Sequence, residues 1–203
     1  KFNTEISSIV ISSVVPELNL PYRELFETHF SKSPVFVDHK FDFGFSINYD
    51  PPENCGIDRL IDAFAAVEKY GKSCIVCDFG TATTIDVVNS KNEFLGGIIA
   101  PGMKTLADSL AEKTSKLPKV EIVKPARVIG NSTVHSIQSG IYFGYIGFVD
   151  GIIRKMIEEL NETPKIIATG GFAELLSRES ELIEIFDKNL MLEGLHILSK
   201  QIG

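Results

Sequence analysis

Apolar positions along this chain recur with two spacings, and the switch between them marks out the elements. Residues 6–15 form a β-branched run closed by Pro16, which predicts a buried strand. Residues 22–30 read as a short helix, and 34–37 and 41–47 as strands. Ile57, Leu60, Ile61, Phe64 and Val67 fall at helical spacing, and Gly71 supplies a stop, so a helix is expected over 57–70. The pattern then shortens to strands at 74–79, 82–88 and 93–99, a meander joined by the Gly80-Thr81 turn and the polar turn 89–92. Helices over about 102–112 and 133–160 follow, then a strand at 165–168, Gly170-Gly171 and a short helix. A short strand at 183–186 and a helix over 190–202 complete an α/β chain.

The long helix carries two stripes. Ile137, Ile141, Tyr145, Phe148, Ile152 and Met156 make an apolar one, and Gly140, Gly144, Gly147 and Gly151 make a second. Each helical glycine costs about 1 kcal/mol relative to alanine. Four on one side imply a close neighbour, either the sheet or a partner subunit.

Composition narrows the class. The 203 residues are 44% hydrophobic and 23% charged, ordinary for a soluble globular protein, with a net charge of −7. An acidic surface argues against a nucleic-acid binder, and residues 132–149 are too polar in their first half to span a membrane. No leader is visible, because Lys1 is followed by polar residues. Three cysteines, Cys55, Cys74 and Cys77, fit a reducing cytoplasm better than a disulfide framework. Cys74 and Cys77 form C-x-x-C, but inside a strand and without a second pair to complete a zinc site. None of the four histidines has metal-ligand spacing.

Candidate chemistry gathers in a few places. Asp78-Phe79-Gly80-Thr81-Ala82-Thr83-Thr84-Ile85-Asp86 joins two strands by a tight turn. Gly80 lets a ligand approach the backbone, threonine hydroxyls can line phosphate oxygens, and Asp78 can hold a cation. A plain threonine-rich hairpin is the alternative. Tyr49 precedes Gly56-Ile57-Asp58-Arg59, which opens a helix. There Asp58 can accept a hydroxyl proton and Arg59 can neutralise an anion, although an acid in a first turn also serves the helix dipole. Gly96-Gly97 through Gly102 and Thr169-Gly170-Gly171 are two further places of close backbone approach, and Thr133 could be an N-cap.

In order, these motifs resemble the type III pantothenate kinases of the acetate and sugar kinase/Hsc70/actin superfamily. The resemblance runs from Ser12-Ser13-Val14-Val15-Pro16 to Leu192-Glu193-Gly194-Leu195. It implies an actin-like (ribonuclease H-like) fold of duplicated domains with mixed sheets, divided as 1–71 and 72–203, with the last helix packing back on the first domain. It implies transfer of the ATP γ-phosphate to pantothenate, the first step of coenzyme A synthesis, in a homodimer. Asp58 would be the general base; Tyr49, Gly56, Ile57, Arg59 and Thr133 would contact pantothenate. Gly80, Thr81, Thr83, Thr169, Gly170 and Gly171 would bind ATP, brought as its Mg²⁺ complex. Asp78 would hold K⁺ or NH₄⁺. The family's opening Asp-x-Gly-Asn-Thr strand has no counterpart here, so a truncated first domain, inactive in this form, is expected. A non-catalytic regulatory protein on the same fold and a sugar-type kinase are the alternatives.

Overall fold

A computed structural model describes residues 6–202, so residues 1–5, read above for a leader, lie outside it. The helical apolar spacing over 57–70 becomes α2 (Ile57–Tyr70), which ends at Gly71 with φ of 92°. The strands that follow form a meander of β4 (Cys74–Phe79), β5 (Ala82–Val88) and β6 (Glu93–Pro101), antiparallel throughout. Parallel strands extend it on both sides: β3 (Ser46–Ile47) beside β6, and β7 (Lys165–Thr169) then β8 (Ile185–Phe186) beside β4. The sheet order is β3-β6-β5-β4-β7-β8, the mixed α/β sheet expected.

Strand alternation divides the core in two. Ile75, Cys77, Phe79, Ile85 and Val87 face α3 (Met103–Lys113), α4 (Thr133–Leu160) and α5 (Ala173–Glu179). Cys74, Val76 and Val88 face α2 and α6 (Leu190–Ser199). α6 packs on α2: a Cβ added at Gly194 would lie 3.0 Å from Ile61 and Ala65, so a larger residue there would have to push the helices slightly apart. Cys74 and Cys77 therefore point to opposite faces, both fully buried, and burial pushes the Cys74 thiol up to about 12. They are packing residues, not a redox or zinc pair.

The N-terminal third departs from expectation. Residues 6–15 yield only β1 (Val10–Ile11), paired in parallel with β2 (Val35–Phe36). Val14 and Val15 are exposed, and the backbone turns at Pro16–Leu18 into α1 (Asn19–Phe30). Pro21 fits there because a first-turn N–H has no intrahelical partner. The expected strand over 41–47 shrinks to β3, since Phe43 and Phe45 anchor the segment through ring contacts with Phe64 and Phe94 instead of ladder bonds.

In α4 the expected apolar stripe is buried only in its first half, at Ile137, Ile141 and Tyr145; Phe148, Ile152 and Met156 are half-buried, and Tyr142, Val149 and Ile153 carry the buried face instead. The glycine stripe is not packed internally: a Cβ at Gly140, Gly144, Gly147 or Gly151 would meet nothing within 4 Å.

One clamp ties α2 to the β8–α6 turn. Asp187 accepts from Lys69, from the Tyr70 hydroxyl at 2.8 Å and from the Asn189 amide at 3.1 Å. Burial alone would raise the Asp187 carboxyl, but these donors hold it below the usual range. A depressed carboxyl stabilises the fold above its unfolded pKa of about 3.9, and that contribution vanishes as pH falls through the lower folded value. Asp187→Asn should therefore lower the unfolding midpoint at neutral pH and flatten its decline below about pH 4. An unchanged acid limb in thermal scans of the variant would exclude the clamp.

Candidate active site

The α2 N-terminus is built around a carboxylate. Gly56 is its N-cap, and Asp58 lies in the first turn, where the helix dipole favours an acid. Asp58 Oδ1 accepts from the Arg59 amide at 2.9 Å. A Cβ at Gly56 would lie 2.4 Å from that oxygen, so Gly56 leaves room for the carboxylate. The preceding loop is fixed by His39, whose Nε2 donates to the Cys55 carbonyl at 2.8 Å.

Arg59 is buried and turns inward. Its Nε donates to Asp86 at 3.0 and 3.2 Å and its Nη2 at 2.5 Å, while Nη1 lies 3.5 Å from the Tyr49 hydroxyl. The guanidinium stands 5.4 Å from the Tyr49 ring centroid. Tyr49 in turn lies against Gly96, where a Cβ would sit 3.1 Å from the ring. The cation expected to meet an anionic substrate group is thus largely committed to Asp86, and Nη1 alone faces Tyr49.

Asp78 closes β4 on the same sheet face as Asp86. Burial raises its carboxyl, and Asp58 and then Asp86 raise it further. Gly170 has φ of 94°, and a Cβ there would lie 2.3 Å from Asp78 Oδ1 and 2.7 Å from the Phe79 amide. Gly170 is required because the turn after β7 presses on Asp78, whereas a Cβ at Gly171 would meet nothing within 4 Å. The β4–β5 turn is pinned from beyond: Thr81 O accepts from the Gly102 amide at 2.9 Å and the Thr105 hydroxyl at 2.7 Å. Gly80, Thr81 and Gly171 share a cavity of about 310 Å³ with Lys104, Thr105 and Phe172.

Two expected residues, Thr83 and Thr133, stand apart from this group. Thr83 points to the other face, 1% exposed, and accepts from the Tyr145 hydroxyl at 2.6 Å. Its burial and the bond to Tyr145, not strand facing, keep it out of the cavity beside Gly80, so its place is in the core. Thr169 is buried in β7, in register with Asp78. Thr133 opens α4 on the opposite side of the sheet from Asp58, beside an open cavity with Leu110, Leu117 and Gly140. The cap of α4 is Ser132, whose hydroxyl accepts from the His135 amide.

A sequence profile described as type III pantothenate kinase matches residues 1–155. The chain belongs to the type III pantothenate kinase family. The type III pantothenate kinase of Koribacter versatilis is 46% identical over 193 residues, 95% of this chain and 70% of that protein. That of Geobacter sp. (strain M21) is 47% identical over 198 residues, 98% and 78% respectively. Among solved structures, a conserved putative Baf family transcriptional activator from Campylobacter jejuni shares the fold. Its TM-score is 0.59 at 21% identity, over 98% of this chain and 85% of that one.

For this family member, two acids went unassigned in the sequence. Asp86 was signalled only by being a charge at an inward strand position. Asp62 stands four residues after Asp58, one helical turn on, where an acid on a buried helix face could have been noticed. Among the described residues, no three His, Cys, Asp or Glu side chains are grouped closely enough to hold a metal ion, and no helix is long and apolar enough to cross a membrane.

Proposed function

We propose that the protein transfers the γ-phosphate of ATP to the pantothenate hydroxyl, with Asp58 as general base. One observation carries the reading: the Arg59–Asp86 ion pair fixes the Asp58 turn of α2 against the sheet face that carries Asp78, whose carboxylate adjoins the Gly80 turn. The base thus stands beside the turn where a terminal phosphate would rest. Residues 1–71 would supply the alcohol side of the cleft (Tyr49, Gly56, Ile57, Asp58, Arg59) and residues 72–203 the nucleotide side (Gly80, Thr81, Thr169, Gly170, Gly171). As the new O–P bond forms, the hydroxyl proton passes to Asp58 and ADP leaves.

Magnesium would arrive on the nucleotide and neutralise phosphate charge, held chiefly by the phosphates. Asp78 suits a monovalent cation: it is partly buried, and among the described residues it has no ion-pair partner. The three unpaired thiols fit a cytoplasmic enzyme. The uncovered glycine stripe suits a second copy of the chain, which would also reach Thr133 at the head of α4. Gly144→Leu should then shift sedimentation toward monomer; an unchanged dimer would refute that face.

The reading is tested by ADP release from the intact protein with Mg·ATP and pantothenate, in K⁺ or NH₄⁺ against Na⁺. Pantothenate-dependent turnover favouring K⁺ or NH₄⁺ is expected. No turnover would end the kinase assignment, and equal turnover in Na⁺ would remove the cation from Asp78.

A further inference from the structure

The unexplained group nearest this site is Asp62. It lies one turn along α2 from Asp58, is 4% exposed, and its Oδ1 is buried without a hydrogen-bond partner. A buried carboxylate left unpaired costs several kcal/mol, so it must either hold a proton or be balanced by a cation. The neighbouring acids do not share its predicament. Asp86 is neutralised by Arg59 and Asp187 by Lys69, and Asp58 has the α2 N-terminus. Among the described residues, Asp62 and Asp78 have no Lys, Arg or His within ion-pair distance. Burial first, and then Asp78 ahead of Asp58, Asp86 and Asp187, raise the Asp62 carboxyl. Asp78 lies on the β4 face that, through Cys74 and Val76, packs against α2, and Asp62 is buried on α2, so helix and strand end bring two carboxyl groups without a cation to one interface.

We infer that Asp62 is a second protein ligand, beside Asp78, for a monovalent cation held between α2 and the end of β4. Two carboxylates with no third acid, histidine or thiol grouped with them suit a weakly held monovalent ion, its shell completed by carbonyls, water or substrate. The orphaned Asp62 oxygen is the observation that fits the ion to the residues. The inference rests on the cation role proposed for Asp78 and adds a ligand on the helix that carries the base. Bound cation would therefore hold the Asp58 turn against β4 before either substrate enters.

Thermal unfolding of the intact protein without nucleotide or pantothenate reads this directly. KCl is titrated against choline chloride at constant ionic strength. The wild-type midpoint should rise saturably with K⁺. Asp62→Asn should weaken the apparent K⁺ affinity by about tenfold or more, with a midpoint in choline chloride no lower than wild type, because an uncompensated charge has gone. Asp78→Asn, run alongside, should also lose the rise. If Asp62→Asn keeps the wild-type response while Asp78→Asn loses it, Asp62 is excluded and the Asp78 role stands. If wild type shows no K⁺-specific rise, both fall. Should Asp62→Asn fail to fold in choline chloride, failure itself contradicts the charge argument, and Asp62→Ser is then titrated with Tl⁺ by ²⁰⁵Tl NMR. A wild-type Tl⁺ signal from Asp62→Ser also overturns the inference.

Discussion

Replacing Asp58 with asparagine should lower kcat by about 10²- to 10⁴-fold, the range that a positioned general base supplies. The fold should survive. Asp58 is only partly buried, and its one recorded hydrogen bond, from the Arg59 amide, is one an asparagine oxygen can accept equally well. The loss of charge at the helix N-terminus costs about 0.3–1 kcal/mol. A thermal midpoint within a few degrees of wild type is therefore expected, with nucleotide binding retained. KM for pantothenate should change little, because the lost interaction is a proton transfer made in the transition state. Turnover of Asp58→Asn near the wild-type rate would show that another group takes the proton, or that departing charge on the phosphate needs no base.

Much of this arrangement was legible in the sequence because the middle of the chain obeys local rules. The α2 limits, Ile57 and Tyr70, follow from apolar spacing and Gly71. The meander follows from alternation and turn residues, and strands β4 and β5 occupy the predicted positions. The glycines of the motifs are explained by approaches only coordinates reveal: Gly56 against Asp58, Gly170 against Asp78, and Gly102 2.2 Å by its missing Cβ from the Gly80 carbonyl. The N-terminal third was less legible, since its β-branched and aromatic residues satisfy a strand pattern but are used as loop anchors. Phe43 and Phe45 pack by their rings without joining a ladder. Side-chain facing was the other gap. Thr81 and Thr83 look equivalent in sequence, yet the first is exposed by the cavity and the second is buried and bonded to Tyr145. Arg59 likewise reads as a substrate cation until Asp86, distant in sequence, is found holding it.

That pair supports the largest stability prediction. Arg59 and Asp86 side chains are 5% and 3% exposed, and three donor contacts join them. Burial works against the Arg59 cation, and its bonds to Asp86 more than offset that; burial likewise raises the Asp86 carboxyl while Arg59 pulls it down. At these distances the two groups are ionised together. Arg59→Met strands a buried carboxylate and should destabilise by about 3–5 kcal/mol, lowering the midpoint by roughly 6–20 °C for a chain of this size. Arg59→Met combined with Asp86→Leu removes both charges and should recover most of the loss, as a well-packed apolar pair replaces the ions. The double variant also separates two duties of the arginine. If Arg59 only braces the sheet against α2, restoring stability restores KM for pantothenate. If its Nη1 edge beside Tyr49 also meets the substrate carboxylate, the double variant regains its midpoint but keeps a raised KM. A single variant as stable as wild type would mean that Asp86 is neutral in the folded protein, and the ion pair would have to be abandoned as the support of this site.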